Sequence, residues 1–165
     1  KAIKKSVIVS SPCNLTAVIQ NTEALSNICY KVLFMSSYLD KINKKKKLRP
    51  DDFSFARANY SFRWKKFDQK YFSALLGFNH PEEHWRVANA TPYLRDINIP
   101  TLLINAQDDS LIYHRSTFPF EEARLNKNFY LDTPKYGGHV GFVDLNKENE
   151  YWSEKRIVNF IQEKI

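Results

Sequence analysis

The sequence is poor in cysteine and contains no long apolar run. Of its 165 residues only Cys13 and Cys29 are cysteines, and they lack the spacing of metal ligands. Two thiols in a chain of this length do not make a disulfide framework, so we expect a reducing, cytoplasmic setting. No apolar stretch approaches the roughly 18 residues that a membrane-spanning helix needs. The basic start of the chain also lacks the apolar core of a secretory signal.

Glycine is scarce as well, which excludes one kind of site within this sequence. A serine nucleophile on a sharp strand-to-helix turn requires the pattern G-x-S-x-G. No glycine flanks a serine at that spacing, and the four glycines are Gly77, Gly137, Gly138 and Gly141. Ser10, Ser11 and Cys13 follow an apolar stretch, but Pro12 and the missing glycines argue against a replacement nucleophile there. Cys13 is more typical of a small buried apolar residue.

Positive charge is in excess, with a net charge of +7. Much of it lies in one run, Lys44–Lys47 with Arg49, which is followed by Pro50. We interpret this run as the solvated end of a helix, where cations favour the negative end of the helix dipole. The alternative is a basic binding module, but a basic run alone is a weak signal and we do not expect nucleic acid as a partner.

Hydrophobic residues make up 43% of the sequence, which is enough for a packed core. Continuous apolar runs and helical spacing alternate in its second half. They predict a mostly parallel sheet of α/β class. The predicted strands are Ser6–Ser10, Thr101–Asn105 and Phe129–Leu131. The clearest predicted helices are 25–42, a short one that begins at Pro81, Phe120–Leu125 and about 151–164. The apolar face of the first of these helices is predicted at Leu25, Ile28, Cys29, Val32, Met35, Leu39 and Ile42.

The segment Phe53–Phe78 is rich in aromatic residues but has no clear period. We predict short helices and loops for it. Two interpretations stay open: with Trp85 it forms a cap over an apolar acyl pocket, or its aromatic side chains simply fill a core.

Two polar clusters follow the second and third predicted strands. Asp108-Asp109 comes after Thr101–Asn105, and His139 lies in the loop after Phe129–Leu131. Ligands of open α/β sheets bind beyond the carboxyl ends of the strands. An acid followed by a histidine is the chain order of the last two members of an α/β-hydrolase triad. A triad histidine accepts a proton from a hydroxyl and returns it to a leaving group, and imidazole suits this proton transfer because it titrates near neutral pH. A buried carboxylate holds the tautomer of the ring.

Two blocks, IPTLLINAQDD and YGGHVGF, carry a resemblance to a known family. The sequence resembles the YheT-like, or ABHD1/ABHD3-like, branch of the α/β-hydrolases. That branch has an N-A-x-D-D motif at a strand end and a later G-G-H-x-G-F motif. The resemblance covers nearly the whole chain, including the region around Phe67-Asp68 and the start of the last helix at Trp152. In its cap region the family has a cap motif of F-D followed by T-A-P-x-x-G-F. Here Ser73 and Leu75 replace the threonine and the proline of that motif, and Tyr113 replaces a proline beyond D-D.

The resemblance implies a role for each matched residue. His139 is the general base, Asp109 is the orienting acid, and Asp108 is the alternative acid or a cap of the loop. Gly137 and Gly138 shape the pocket by allowing a tight turn. Asn105, at the strand end, shapes the loop or serves as scaffold. The family's nucleophile and oxyanion-hole loop lie upstream of the matched region, so we expect the chain to begin after them.

The resemblance also implies a fold and a function. We expect a single partial α/β-hydrolase domain over 1–165, built from the C-terminal strands and helices and carrying a helical, aromatic-rich cap-like insertion at about 15–95. The expected activity is hydrolysis of carboxylic esters by a Ser-Asp-His triad, acting on small ester or lipid-like substrates without a metal or organic cofactor. By itself the chain is expected to be inactive. The alternatives are an inactive remnant or a basic binding module.

Overall fold

The computed structural model describes residues 2–51, 63–112, 117–143 and 150–163. The chain divides into two compact units, one formed by Lys1–Val18 with Asn89–Ile165 and the other by Ile19–Ala88. We call them the sheet unit and the helical unit. The expected single domain over 1–165, with its insertion at about 15–95, stays a prediction.

Three parallel strands form the sheet of the sheet unit. They are β1 (Ser6–Val9), β2 (Thr101–Ile104) and β3 (Phe129–Asp132), in the order β1-β2-β3. The predicted strands and the parallel sheet are therefore confirmed, with bounds that differ by one residue. All four residues of β2 are buried because both of its edges are paired and both of its faces are covered. β1 is only half-buried, since it lies at an edge of the described sheet.

Successive side chains of β2 point to opposite faces of the sheet and pack into two different layers. Leu102 and Ile104 pack with Phe160 of the helix Trp152–Gln162. Leu103 packs on the other side with Leu94, from the 3₁₀ helix Thr91–Asp96. The α-helices within the described ranges are α1 (Leu15–Thr22), α2 (Ile28–Leu48), α3 (Trp64–Asp68), α4 (Pro81–Ala88), α5 (Phe120–Leu125) and α6 (Trp152–Gln162). The predicted bounds of α5 are matched, and β2, α5 and β3 form the expected crossover.

The helical unit has an aromatic core of its own. Phe67 and Tyr71, from α3 and the π-helical turn Gln69–Ser73, pack against Met35 and Ile42 of α2. This supports core filling for Phe67, and Trp85 of α4 is also buried. The first part of the predicted aromatic segment, with Phe53, Phe55, Tyr60 and Phe62, lies outside the described residues.

The predicted apolar face of the helix around 25–42 is wrong in its first half. Leu25, in the 3₁₀ turn Leu25–Asn27 that precedes α2, is 85% exposed, and Ile28, Cys29 and Val32 are exposed too. The buried line of α2 instead begins at Lys31, which is 5% exposed and whose Nζ lies 2.5 Å from Glu23 Oε2. The ion pair offsets the cost of burying the lysine. The buried face in the first half of α2 therefore contains Lys31 and not Ile28 or Val32.

Two negative findings concern the described residues alone. Within 2–51, 63–112, 117–143 and 150–163, no helix has both the length and the apolar character that crossing a membrane requires. In the same ranges, no three side chains of His, Cys, Asp or Glu come together in a way that suits a metal ion.

Candidate active site

Asp109 lies in the turn that follows β2 and is completely buried. Its Oδ1 accepts hydrogen bonds from the backbone N–H groups of Leu111, at 2.9 Å, and Ile112, at 3.3 Å. Its own N–H donates to the Ala106 carbonyl at 3.3 Å. A buried carboxylate needs such donors because it has lost its hydration. The local backbone therefore fixes one carboxylate oxygen and directs the other away from the turn.

That second oxygen meets the imidazole of His139. The distance between His139 Nδ1 and Asp109 Oδ2 is 2.8 Å. The His139 side chain is 37% exposed while that of Asp109 is 0% exposed. The pair thus has a buried acidic end and an imidazole end that reaches the surface. In this arrangement a carboxylate fixes the ring orientation and stabilises an imidazolium when one forms.

The loop around His139 depends on two glycines for different reasons. Gly138 has φ +58°, in the left-handed region that glycine adopts without strain. Gly137 has no such torsion, but a Cβ there would lie 2.6 Å from the Phe142 ring and 2.8 Å from Ala106 Cβ. The tight turn expected from the sequence therefore applies to Gly138, and close packing explains Gly137.

Phe142 anchors the far end of the same loop, a role that the sequence reasoning did not assign. Its N–H donates to the Gly137 carbonyl at 2.8 Å, which closes the loop on itself. The ring is 2% exposed and stacks on Trp152 with centroids 6.0 Å apart. Phe142 adopts φ +43°, which is unusual for a residue with a side chain. The signal that points to it is its place as the last letter of G-G-H-x-G-F.

Asp108 occupies a different place from its neighbour. It is exposed, and its Oδ1 accepts a hydrogen bond from the Gly138 N–H at 2.8 Å. Asp109 contacts the imidazole of His139, whereas Asp108 contacts the backbone of the same loop. This is the loop-capping position that the sequence analysis gave as the alternative for Asp108.

Asn105 is buried and links the ends of two strands through hydrogen bonds. Its amide group makes two hydrogen bonds to the backbone of Ser11, accepting at 3.1 Å and donating at 3.0 Å. It therefore joins the end of β2 to the end of β1, in line with the scaffold interpretation. Gln107 links the segment after β2 to the segment after β3. Its backbone N–H donates to the Pro134 carbonyl, and its side-chain amide donates to the Thr133 carbonyl.

Ser10 and Cys13, which follow β1, do not have the features of a nucleophile. Ser10 has φ +53°, but the residue is 8% exposed and its Oγ is buried away from solvent. Burial raises the pKa of the Cys13 thiol to about 11, with Glu122 adding to the effect. A thiol with so high a pKa is almost entirely protonated near neutral pH, so it is a poor nucleophile. Both findings agree with the sequence-based argument against a replacement nucleophile.

The sequence reasoning also missed a buried carboxylate in the helical unit. Asp68 is 3% exposed and accepts hydrogen bonds from Ser73 Oγ at 2.5 Å and Trp85 Nε1 at 2.7 Å. His84 Nδ1 lies 3.4 Å from the same carboxylate. Ser73 is fully buried, so this cluster joins α3, the π-helical turn and α4 and does not present a hydroxyl to solvent. The signal was the resemblance of Phe67-Asp68 to the cap motif.

Comparison with known proteins gives several relatives. An abhydrolase domain-containing protein of Dictyostelium discoideum is 26% identical over 158 residues, which cover 94% of this chain and 39% of the relative. The human phospholipase ABHD3 is 31% identical over 80 residues, or 48% of this chain and 19% of the relative. The human monoacylglycerol lipase ABHD2 is 27% identical over 125 residues, or 73% of this chain and 29% of the relative.

These matches leave most of each relative uncovered, since the chain spans about two fifths of the first and less of the other two. No protein-family model matches the chain. The relatives nevertheless share α/β-hydrolase-type names, and the parallel three-stranded sheet of the described residues is of the same class. Both agree with the motifs of the sequence. The chain is therefore similar in sequence to α/β-hydrolase-domain proteins, and its parallel sheet with helices is in keeping with a partial α/β-hydrolase fold.

Proposed function

We propose that a protein containing this chain together with a serine nucleophile hydrolyses carboxylic esters. Its catalytic triad is Ser-Asp-His, of which the chain supplies Asp109 and His139. The observation that carries the proposal is the 2.8 Å contact between His139 Nδ1 and the fully buried carboxylate of Asp109. The names of the relatives, which include a phospholipase and a monoacylglycerol lipase, favour ester or lipid-like substrates. Membership of the YheT-like branch and a cytoplasmic location are part of the same proposal.

The chemistry follows from which ring nitrogen faces the acid. With Nδ1 held by Asp109, Nε2 is the nitrogen that exchanges a proton. It accepts the proton of a serine hydroxyl as the oxygen attacks the ester carbonyl, and it returns that proton to the departing alcohol. Water then repeats the sequence on the acyl group. Asp109 stays ionised throughout and stabilises the imidazolium.

Other residues of the chain have supporting parts in this proposal. Gly137 and Gly138 shape the loop that presents His139, and Asp108 caps that loop through the Gly138 N–H. The steps require no metal or organic cofactor. The serine belongs to a G-x-S-x-G segment that this sequence does not contain, so the chain assayed by itself is expected to be inactive.

The direct test uses the protein that carries this chain together with such a segment. His139→Ala is expected to lower kcat on short p-nitrophenyl esters by roughly ten-thousand-fold, because the general base is lost. His80→Ala is the matched control, since His80 is exposed and lies in the helical unit, and it should leave turnover unchanged. Undiminished turnover in His139→Ala would refute the proposed base. An unaltered protein with no turnover at all would favour the inactive remnant.

A further inference from the structure

The helical unit contains a groove whose lining residues include neither Asp109 nor His139. It has a volume of about 350 Å³ and lies between α2 and the helical turns that follow α3. This volume is near the small end of the range for small-molecule sites. The residues that line it are Tyr38, Lys41, Ile42, Lys44, Lys45, Tyr71, Phe72 and Leu75, all of which belong to the helical unit.

The walls of the groove are apolar and well packed. Tyr38 and Phe72 meet edge to face with their centroids 5.1 Å apart, which fixes two of the walls. Ile42 and Tyr71 are buried parts of the aromatic core behind them. Leu75, by contrast, is 44% exposed and lies at the opening. Such walls bind an alkyl chain by removing apolar surface from water.

The polar lining of the groove is positive. Lys41, Lys44 and Lys45 follow the i, i+3, i+4 spacing that places side chains on one helix face. Lys41 Nζ lies 5.7 Å from the centroid of the Tyr38 ring. Lys44 pairs with Asp40 at 2.7 Å, and both side chains of that pair are mainly exposed. Exposed pairs of this kind are weak, so these cations retain their attraction for an anion.

We propose that this groove binds a single-chain amphiphile with an anionic head group, of which a fatty-acid carboxylate is the simplest form. The alkyl chain lies against Tyr38, Phe72 and Leu75, and the head group lies beside Lys44 and Lys45. The small volume favours one chain over a two-chain lipid. The proposal does not depend on the ester hydrolysis proposed above, since it concerns binding within the helical unit alone.

Calorimetric titration of the whole 165-residue chain with dodecanoate, below its micelle concentration, tests the proposal. We expect saturable binding with one molecule per chain, and binding at least tenfold weaker for dodecyltrimethylammonium, which has the opposite charge. Equal affinity for the two amphiphiles would overturn the proposal. So would no binding of monomeric dodecanoate combined with binding to anionic phospholipid vesicles or to nucleic acid.

Matched variants locate the site. Lys45→Glu reverses a charge of the groove and is expected to weaken dodecanoate binding about tenfold. Lys47→Glu makes the same change in the same run outside the lining, and it should alter affinity by less than about twofold. Equal losses in the two variants would mean that the basic surface as a whole binds the anion, and the groove assignment would be wrong.

A second pair of variants tests the apolar wall. Leu75→Glu puts a carboxylate at the mouth of the groove and should reduce dodecanoate binding more than tenfold. Leu76→Glu changes the neighbouring leucine, which is 58% exposed and does not line the groove, and should have little effect. Unchanged binding in Leu75→Glu would contradict the proposal even if the lysine variants behaved as expected.

Discussion

The six residues from Gly137 to Phe142 place one imidazole beside one buried carboxylate. Gly138 supplies a left-handed torsion, Gly137 supplies space, and Phe142 fixes the end of the loop in the core of the sheet unit. The position of His139 therefore depends on groups that take no part in proton transfer.

Gly137→Ala tests the close packing behind His139. A Cβ at this position would lie 2.6 Å from two ring atoms of Phe142, so the ring or the loop must shift. We expect the free energy of unfolding to fall by about 1–3 kcal/mol, as overpacked sites usually show. Urea denaturation of the chain measures it.

Gly141→Ala is the matched control in the same loop. The nearest atom to its added Cβ is the Gly137 carbonyl oxygen at 3.4 Å, an ordinary contact. Its effect on the free energy of unfolding should stay within about 0.5 kcal/mol. Equal destabilisation by the two substitutions would contradict the account given for Gly137.

The residues of this site were largely predictable because they follow strand ends in a fixed order. Asp109 and His139 were identified from a motif and from the rule that ligands bind beyond the carboxyl ends of parallel strands. The sequence favoured Asp109 over Asp108 as the orienting acid, but the burial of Asp109 and the different hydrogen bonds of the two carboxylates come only from the structure. The part of Phe142 was missed because its place as the last letter of G-G-H-x-G-F does not say what its ring packs against.

At the scale of the element, a carboxylate joins three helical segments of the helical unit. Asp68 ends α3, Ser73 ends the π-helical turn, and Trp85 lies in α4. The short hydrogen bonds from Ser73 and Trp85 replace the hydration that the buried carboxylate has lost. The packing of these short helices therefore depends on the hydrogen bonds of one buried side chain.

Asp68→Asn tests this dependence. An asparagine offers one acceptor oxygen, so Trp85 Nε1 loses its acceptor if the NH₂ group faces it, and Ser73 must accept instead of donate if the NH₂ group faces the hydroxyl. We expect a loss of about 2 kcal/mol in the free energy of unfolding, because hydrogen bonds to charged groups are the stronger ones. Thermal or urea unfolding of the chain measures it.

Asp40→Asn provides the comparison for Asp68→Asn. Asp40 is exposed on α2 and pairs with Lys44 in an exposed i, i+4 contact. Its removal should change stability by no more than about 0.5 kcal/mol. If the two substitutions have the same effect, the Asp68 cluster does not hold the short helices together.

The elements of the sheet were predicted better than those of the helical unit. The four residues of β2 form a continuous apolar run because both faces of the strand are covered, and such runs are easily recognised. The exposed apolar residues in the first half of α2 misled the same reasoning. The buried face there contains Lys31, and helical spacing gives no indication that a lysine will be buried with an acidic partner.

At the scale of the whole molecule, two compact units divide the proposed tasks. The sheet unit contains the Asp109–His139 pair, and the helical unit contains the basic groove. The run Lys44–Lys47 with Arg49, which carries much of the net charge of +7, was interpreted from the sequence as a solvated helix end, with a basic binding module as the alternative. The groove gives two lysines of this run, Lys44 and Lys45, a more specific proposed purpose, which periodicity alone does not reveal because it depends on the walls opposite them.

The central claim is that Asp109, and not Asp108, holds His139 in the tautomer of an acid–base catalyst. Nitrogen NMR of the histidine rings in this chain tests it without any need for turnover. We predict that neutral His139 carries its proton on Nδ1, that Asp109→Asn abolishes this preference, and that Asp108→Asn preserves it. A proton on Nε2 in the unaltered chain, or a larger change in Asp108→Asn than in Asp109→Asn, would contradict the account.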